Sequence, residues 1–498
     1  MKRTATSLTS GRRLARSIVW NLAAQLLPLA VALACIPFII QLAGVARFGV
    51  LTLAWALIGY SALFDFGLGR ALTKTVAEQL AGDEAVIAST IWTGLAMMSL
   101  FGLIGAGGLY ALAPWLAASA LGIPEALVPE ALTGFRLIAL AVPLVTLTAG
   151  LRGVAESYQQ FRRIAGINAV MGAVFYGGPL IALMYSATIP AAVLALIGSR
   201  LLGLGVFAMM VLTLVPGLRA CGPVPGAMRR LLRFGSWLTV TSIVGPVMDS
   251  MDRFIVGALM SVEAVAYYAT PFDLVGRLRM LFGPLAGVLF PAFATALAVD
   301  RPRAFALYLT GLRHTLIIIT PPVLILVLFA EEGLRLWLGP EFAQQGTPVA
   351  HWLAIGQLIS AMAAMPYALL QAGGRPDLTA RLHLIELPLY LALVWPLVGA
   401  FGITGAAAAW TIRVLIDAIL LFLLGNRLIG APLRRLWSVL STGVILLVMM
   451  AGATLADAPV EKIVYFICAL GGYLFLAFHR LLEPGEIKRL LGYLRPAH

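Results

Sequence analysis

Long apolar runs, separated by short segments that hold charges, glycine or proline, extend over nearly the whole chain. Most of these runs reach the ~20 residues that a helix needs to cross a bilayer. The pattern predicts an all-α polytopic membrane protein with about fourteen transmembrane helices. Their approximate positions are 18–43, 48–67, 86–113, 131–151, 164–184, 189–215, 235–260, 265–298, 308–330, 347–372, 382–399, 402–425, 436–456 and 461–480. The eighth run contains Pro271, Pro284 and Pro291, so its helix is expected to be kinked.

The composition excludes other broad classes of protein. Of the 498 residues, 61% are hydrophobic and 11% are charged, whereas a soluble globular chain has about 25% charged residues. Too few polar residues remain to cover the surface of a soluble enzyme. A transmembrane β-barrel is excluded as well, because its strands alternate apolar and polar residues and the runs here are continuously apolar.

The net charge of +13 is explained by topology. With the N-terminus in the cytoplasm, 26 of the 35 Lys and Arg residues fall on the cytoplasmic side, 3 fall on the opposite side and 6 lie inside predicted helices. This asymmetry is the one that the positive-inside rule describes. Both termini are therefore predicted to be cytoplasmic, and no binding of nucleic acid is expected.

Weak internal repetition divides the chain into two similar halves. The start of helix 7 follows that of helix 1 by about 217 residues, 265–278 resembles 45–58 at an offset of 220, and 403–413 resembles 189–200 at about 213. Two parallel six-helix bundles, residues 1–218 and 219–430, are therefore predicted. Residues 431–498 add helices 13 and 14 and a cytoplasmic tail. In transporters built from such repeats, the substrate site lies between the halves near the bilayer midplane.

Charged residues inside the helices are candidates for function, because a charge at the bilayer centre is costly. Arg200 in helix 6 and Arg413 in helix 12 lie at matching positions, each about 15 Å deep. Two guanidinium groups facing one cavity would suit a phosphate-bearing ligand, because their fork geometry fits phosphate oxygens. Arg136 lies near an outer helix end, where its side chain is expected to reach the membrane surface.

A second group of charges lies on helices 7 and 8 at overlapping depths. It comprises Asp249, Asp252, Arg253, Asp273, Arg277 and Arg279. Ion pairs between the two helices, or a buried carboxylate that carries a proton, are both compatible with these positions. Alternatively, Asp273 with Arg277, and Arg413 with Asp417, neutralise each other at a spacing of four residues. Asp65 and Glu386 near inner helix ends are either interfacial or functional.

No constellation supports catalysis. The five histidines are dispersed without an HExxH or HxH pattern, and the chain contains no Walker motif. The protein is therefore not expected to be an enzyme, to bind a metal or to use a cofactor.

Three stretches resemble the polysaccharide and O-antigen lipid flippases of bacteria, the polysaccharide transporter family of the multidrug/oligosaccharidyl-lipid/polysaccharide exporter superfamily. They are residues 48–74, which close on DFGLG, residues 251–269 (MDRFIVGALMSVEAVAYYA), and the start of helix 12 with Gly402, Gly405, Ala406 and Ala407. The resemblance implies translocation of an undecaprenyl-diphosphate-linked oligosaccharide across the bacterial inner membrane. Alternating access would be coupled to protons or sodium ions. Helices 13 and 14 resemble those of the fourteen-helix lipid II flippases.

These expectations define the candidate residues and partners. The candidate substrate-binding residues are Arg200, Arg413, Arg277, Arg279 and Arg253. The candidate ion-coupling residues are Asp249, Asp252, Asp273, Asp417 and Asp65. The expected partners are the lipid-linked oligosaccharide, membrane lipids, and polysaccharide polymerase with other assembly proteins.

Other functions compete with this hypothesis. A multidrug/proton antiporter of the same superfamily handles mostly cationic drugs, which six arginines within the membrane disfavour. A polysaccharide polymerase or ligase needs a sizeable outer loop with catalytic residues, and the longest predicted outer loop, 114–130, is apolar with two acidic residues. A scaffold for polysaccharide assembly that transports nothing is the third alternative.

Overall fold

The computed structural model describes residues 11–80, 82–219, 222, 245, 247–248, 250–430, 434 and 436–482. Within these ranges the chain forms helices joined by short turns, and no strand is present. The helices are α1 (Gly11–Tyr60), α2 (Leu68–Gln79), α3 (Glu84–Trp115), α4 (Val128–Ala139), α5 (Ala141–Ser157), α6 (Phe161–Tyr185), α7 (Ile189–Leu214), α8 (Val262–Gly276), α9 (Arg279–Val299), α10 (Arg301–Leu338), α11 (Pro340–Ala372), α12 (Pro376–Ile429), α13 (Trp437–Ala453) and α14 (Pro459–Leu476).

The described helices confirm an all-α protein that passes the membrane many times. Ten helical segments in these ranges are long and apolar enough to cross a bilayer, and α13 is apolar but shorter. The backbone leaves the helical conformation inside α1 at Gly44 (φ 79°) and inside α12 at Gly402 (φ 60°). Each of these two long segments therefore contains two of the predicted helices. Residues 250–259 are helical and form the end of the predicted seventh helix, most of which lies outside the described residues.

The predicted eighth helix is interrupted, but not at any of its three prolines, which lie within α8 and α9. The break lies at residues 277–278, between Pro271 and Pro284. There the N–H groups of Arg277 and Leu278 bond to carbonyls three residues earlier, at 3.2 and 3.0 Å. Hydrogen bonds of this shorter spacing interrupt the regular α-helical pattern, so α8 and α9 are separate helices.

The chain is organised as two compact units, one ending at Ala266 and one beginning at Tyr267. In the first unit, α2, α3, α5 and α7 share an apolar core that includes Leu72, Ile91, Val154 and Phe207. In the second unit, α11 packs against α10 and α12 and contributes many of the buried side chains. The predicted boundaries after residues 218 and 430 rest on the sequence repeat and remain predictions.

Residues just before Ala266 pack inside the first unit through close backbone contacts. The N–H of Gly122 donates a hydrogen bond of 2.7 Å to the carbonyl of Gly257. A Cβ atom at position 122 would lie 2.7 Å from the carbonyl oxygen of Met260. Only glycine therefore fits at position 122.

Helices α13 and α14 attach to α10 and α11 of the second unit. The Tyr473 hydroxyl donates a 2.7 Å hydrogen bond to the carbonyl of Ile317 in α10. Gly443 of α13 lies so close to Met362 of α11 that a Cβ would come within 2.6 Å of its methyl carbon. The two additional helices are thus packed parts of the second unit.

Candidate functional site

Arg200 lies in the first unit against an aromatic cluster. Its guanidinium carbon is 4.4 Å from the ring centre of Phe175, on the neighbouring helix α6. Trp55 of α1 completes the cluster, with ring centres 6.2 Å from Phe175 and 5.6 Å from Tyr176. The Nε atom of Arg200 is buried and has no hydrogen-bond partner among the described residues. The aromatic faces stabilise the cation without neutralising it.

Arg413 has a similar environment in the second unit. Its guanidinium carbon lies 5.5 Å from the ring centre of Tyr390 and 6.0 Å from that of Trp410. Tyr390 is on the first half of α12, and Arg413 is on the second half, after the bend at Gly402. Within the described chain, the Nε atom of Arg413 is likewise buried without a hydrogen-bond partner.

The two arrangements follow the sequence repeat. Arg413 comes 213 residues after Arg200, and Tyr390 comes 215 residues after Phe175. In the first unit, the aromatic ring lies on the helix before that of the arginine; in the second unit, it lies on the half of α12 before the bend. The repeat predicted the matching arginines, whereas their aromatic partners were not predicted.

Within the part of the chain that the structure describes, two acidic side chains lie near Arg413. Glu386 is 3% exposed, and both of its carboxylate oxygens are buried without a hydrogen-bond partner among the described residues. The ligand-type atoms of His383, Glu386 and Asp417 lie within 4.8 Å of one another, and His383 Nε2 is 3.9 Å from Asp417 Oδ1. We call these three residues the carboxylate–histidine cluster.

This cluster can bind a cation or a proton. One histidine with two carboxylates is a common donor set for divalent metals. However, the charge of Arg413, one helical turn before Asp417, acts on both carboxylates and opposes the approach of a metal cation. A proton carries one charge where a divalent metal carries two, so Arg413 opposes it less, and it needs no coordination shell. The geometry therefore favours a proton site.

The sequence contained a partial signal for this cluster. His383 and Glu386 are three residues apart, and Arg413 and Asp417 are four apart, so each pair shares a helix face. From the sequence alone, Glu386 is either interfacial or functional, and His383 is one of five dispersed histidines. The bend at Gly402 brings the two pairs together, and the sequence did not predict that they would meet.

Asp65 has a local structural role. Its Oδ1 accepts a 2.6 Å hydrogen bond from the N–H of Gly67, where the chain turns through left-handed conformations at Phe66 (φ 47°) and Gly67 (φ 71°). α2 begins directly afterwards at Leu68. The carboxylate thus caps the turn that starts α2, and ion coupling by Asp65 remains a prediction.

The remaining candidates are divided between the units. Asp252 and Arg253 are buried in the first unit, whereas Asp273, Arg277 and Arg279 belong to the second. Asp249 lies outside the described residues. The predicted ion pairs between helices 7 and 8, and the substrate-binding role of these arginines, therefore remain predictions.

Arg136 differs from the two arginines deep in the helices. It lies in the last turn of α4 and stacks 5.1 Å from the ring centre of Tyr110. Arg136 thus has an aromatic partner like Arg200 and Arg413, but it does not belong to the repeated positions.

Solved structures with this fold are membrane transporters. The chain aligns with the inward closed conformation of the lipid II flippase MurJ at a TM-score of 0.73 and 12% identity, covering 92% of this chain and 98% of that one. It aligns with an inward-facing multidrug resistance MATE family transporter of the MOP superfamily at a TM-score of 0.67 and 15% identity, covering 83% and 98%. The chain therefore has the all-α polytopic fold of these two structures.

Sequence comparison gives the family. Residues 41–345 match the family described as "Polysaccharide biosynthesis protein", and the chain belongs to that family. It is 30% identical over 425 residues to the "Putative O-antigen transporter" of Shigella flexneri, covering 83% of this chain and 98% of that protein. It is 25% identical over 399 residues to the "Probable low-salt glycan biosynthesis flippase Agl15" of Haloferax volcanii, covering 77% and 78%.

Proposed function

We propose that this protein is a flippase that moves an undecaprenyl-diphosphate-linked oligosaccharide from the inner to the outer leaflet of the bacterial inner membrane. The oligosaccharide is a repeat unit of O-antigen, capsule or exopolysaccharide. Relatives named as an O-antigen transporter and a glycan flippase support this function and are not named as enzymes. The observation that carries the proposal is the repeated arginine on an aromatic ring, Arg200 on Phe175 and Arg413 on Tyr390.

The chemistry of the two arginines suits a diphosphate. A guanidinium group offers paired N–H donors that match phosphate oxygens, and its charge persists at any physiological pH. An aromatic face holds the group in a low-dielectric region without consuming its hydrogen-bonding capacity. One arginine from each repeat would supply a positive charge to the diphosphate headgroup, while the prenyl chain stays in lipid.

Ion coupling is assigned to the second unit. Asp417, already a candidate from the sequence, lies next to the buried carboxylate of Glu386 and one helical turn after Arg413. Gain and loss of a proton changes the charge next to the substrate-binding arginine. Such a change alters the relative free energies of the inward-facing and outward-facing states, which is the basis of coupled alternating access.

Proteoliposomes that contain a fluorescent undecaprenyl-diphosphate oligosaccharide test the proposal. The wild type is expected to move the lipid between leaflets, and the double variant Arg200→Ala/Arg413→Ala is expected to lose this activity. Arg136→Ala is the matched control, because Arg136 also stacks on a tyrosine but lies at a helix end. Retained flipping in the double variant would exclude the arginine site, and absence of flipping in the wild type would exclude the function.

A multidrug/proton antiporter is the second candidate, favoured by the buried carboxylates and by the fold shared with MATE transporters. The same proteoliposomes distinguish it when a fluorescent cationic drug replaces the lipid. Drug movement driven by a proton gradient, without lipid flipping, would support the antiporter.

The proposed orientation places both termini in the cytoplasm. Val299 at the end of α9 and Leu336 near the end of α10 are 90% and 92% exposed, and the loop charges assign them to the cytoplasmic and outer sides. In a Cys468→Ser background, a membrane-impermeant thiol reagent applied to cells should label Leu336→Cys and not Val299→Cys. Polysaccharide polymerase and other assembly proteins are the proposed partners.

A further inference from the structure

Exposure decreases stepwise through the carboxylate–histidine cluster. The side chains of His383 and Asp417 are 26% and 16% exposed, and Glu386 is 3% exposed. His383 Nε2 is 3.9 Å from Asp417 Oδ1. The histidine is therefore the member of the cluster that water reaches most easily.

His383 also lies between the carboxylates and one end of the second unit. It follows Arg375, which precedes the first residue of α12, by eight residues, or ~12 Å along the helix. Glu386 lies one turn deeper on the same helix. The end marked by Arg375 is the one that the loop charges place in the cytoplasm.

The groups that face His383 come from three segments. Glu386 lies on its own half of α12, and Asp417 and Arg413 lie on the other half. The Tyr367 ring of α11 stacks on the imidazole, with 6.3 Å between ring centres and an interplanar angle of 11°. Of the three cluster residues, His383 has the most exposed side chain, and an imidazole ordinarily exchanges protons near neutral pH.

We infer that His383 relays the coupling proton between Asp417 and water at the end of the second unit that holds Arg375, an inference that rests on the proposed function. Nε2 accepts the proton from the Asp417 carboxyl group, which becomes a carboxylate. The imidazolium then releases a proton from Nδ1 to water, and the ring regains its first tautomer by exchange. A small side-chain rotation, or one intervening water, closes the 3.9 Å separation.

The buried Glu386 explains why a relay is needed. Both of its carboxylate oxygens and Oδ1 of Asp417 are buried from solvent. A proton on any of these atoms therefore needs a titratable neighbour through which to leave, and His383 is that neighbour in the cluster. Tyr367 holds the ring in place and acts as a positioning residue.

The test compares His383→Ala and His383→Gln with wild type in two assays on the same proteoliposomes. The first measures flipping of the fluorescent lipid-linked oligosaccharide driven by a proton gradient, with a pH dye inside the vesicles. The second measures lipid exchange between leaflets without a gradient. The matched control is His479→Ala, because His479 also stacks on an aromatic ring, Phe475, but lies outside the cluster.

Both His383 variants are expected to slow gradient-driven flipping and the associated proton movement about tenfold or more, with exchange unchanged. Imidazole in the buffer should restore His383→Ala, and His479→Ala should match the wild type. Unchanged gradient-driven flipping in His383→Ala would overturn the relay and leave the flippase function standing. Loss of both activities without rescue would show a structural role and overturn the relay as well. A wild type that moves no lipid in either assay would overturn the proposed function itself.

Discussion

Glu130 accepts two hydrogen bonds from the guanidinium group of Arg47, at 3.0 Å from Nε and 2.8 Å from Nη2. A third hydrogen bond of 3.2 Å comes from the N–H of Ile189. Arg47 follows the bend in α1, Glu130 lies in the first turn of α4, and Ile189 is the first residue of α7. One carboxylate thus joins three helix starts. In the second unit, the Tyr267 hydroxyl donates a hydrogen bond to Glu341. The second half of the repeat thus has a similar contact in which the donor is uncharged.

The Arg47–Glu130 contact should contribute measurably to stability. The two side chains are 33% and 24% exposed, so solvent screens the pair only in part. Glu130→Ala removes a bidentate pair and leaves the Ile189 N–H without its acceptor, and we expect a loss of about 1–2 kcal/mol. The midpoint of thermal unfolding in detergent measures the effect.

A matched surface pair provides the control for this prediction. Lys74 and Glu78 are 3.8 Å apart, with side chains 51% and 60% exposed, and Glu78→Ala should change stability by less than about 0.5 kcal/mol. A double-mutant cycle on Arg47 and Glu130 isolates the pairwise term. A coupling energy near zero would contradict the assigned role.

The turn between the two halves of α12 depends on glycine at position 405. The backbone bends at Gly402, and a Cβ on Gly405 would overlap the carbonyl group of Leu397 on the opposite half. Gly405→Ala must therefore separate the two halves, and we expect strongly reduced yield of folded protein. Fluorescence-detected size exclusion measures that yield.

Gly399 is the internal control for this prediction, because a Cβ there would meet nothing within 4 Å. Gly399→Ala should elute like the wild type. Normal folding of Gly405→Ala would show that the two halves separate at little cost, and would weaken the assignment of the carboxylate–histidine cluster that this turn assembles.

The sequence was sufficient to predict those features of the fold and the site that recur at regular intervals along the chain. Apolar runs predicted the helices, and the repeat offset placed Arg200 and Arg413 at equivalent positions, each of which has an aromatic neighbour at nearly the same offset. Contacts between distant segments were not predictable in this way. Glu130 and Arg47 are 83 residues apart, and the meeting of His383 with Asp417 depends on the angle at Gly402, which no residue pattern specifies.

Lys462 should show the cost of a buried charge that loses its partners. Its side chain is 7% exposed and lies 2.7 Å from Glu332 and 3.6 Å from Glu331, joining the start of α14 to the end of α10. The double variant Glu331→Gln/Glu332→Gln leaves the ammonium group buried without a counter-charge, and we expect a loss of about 2 kcal/mol.

Replacing Lys462 instead of the two glutamates should destabilise the protein less. Lys462→Met keeps the apolar stem, and the two carboxylates left behind are 39% and 48% exposed, so water hydrates them. Thermal unfolding midpoints should therefore rank wild type, Lys462→Met and the double glutamine variant in decreasing order. The reverse order would mean that Lys462 reaches solvent and is not held by the glutamates.

Asp65 offers a test between structural and ion-coupling roles. The side-chain oxygen that accepts the hydrogen bond from Gly67 is retained in Asp65→Asn, whereas the negative charge is lost. If the residue serves only as a cap, Asp65→Asn keeps both stability and gradient-driven flipping, and Asp65→Ala loses about 1 kcal/mol of stability. Since the carboxylate already has a backbone donor and α2 begins three residues later, we expect this outcome. Normal stability of Asp65→Asn with loss of gradient-driven flipping would instead assign the coupling ion to Asp65, and the first unit would then carry the coupling site.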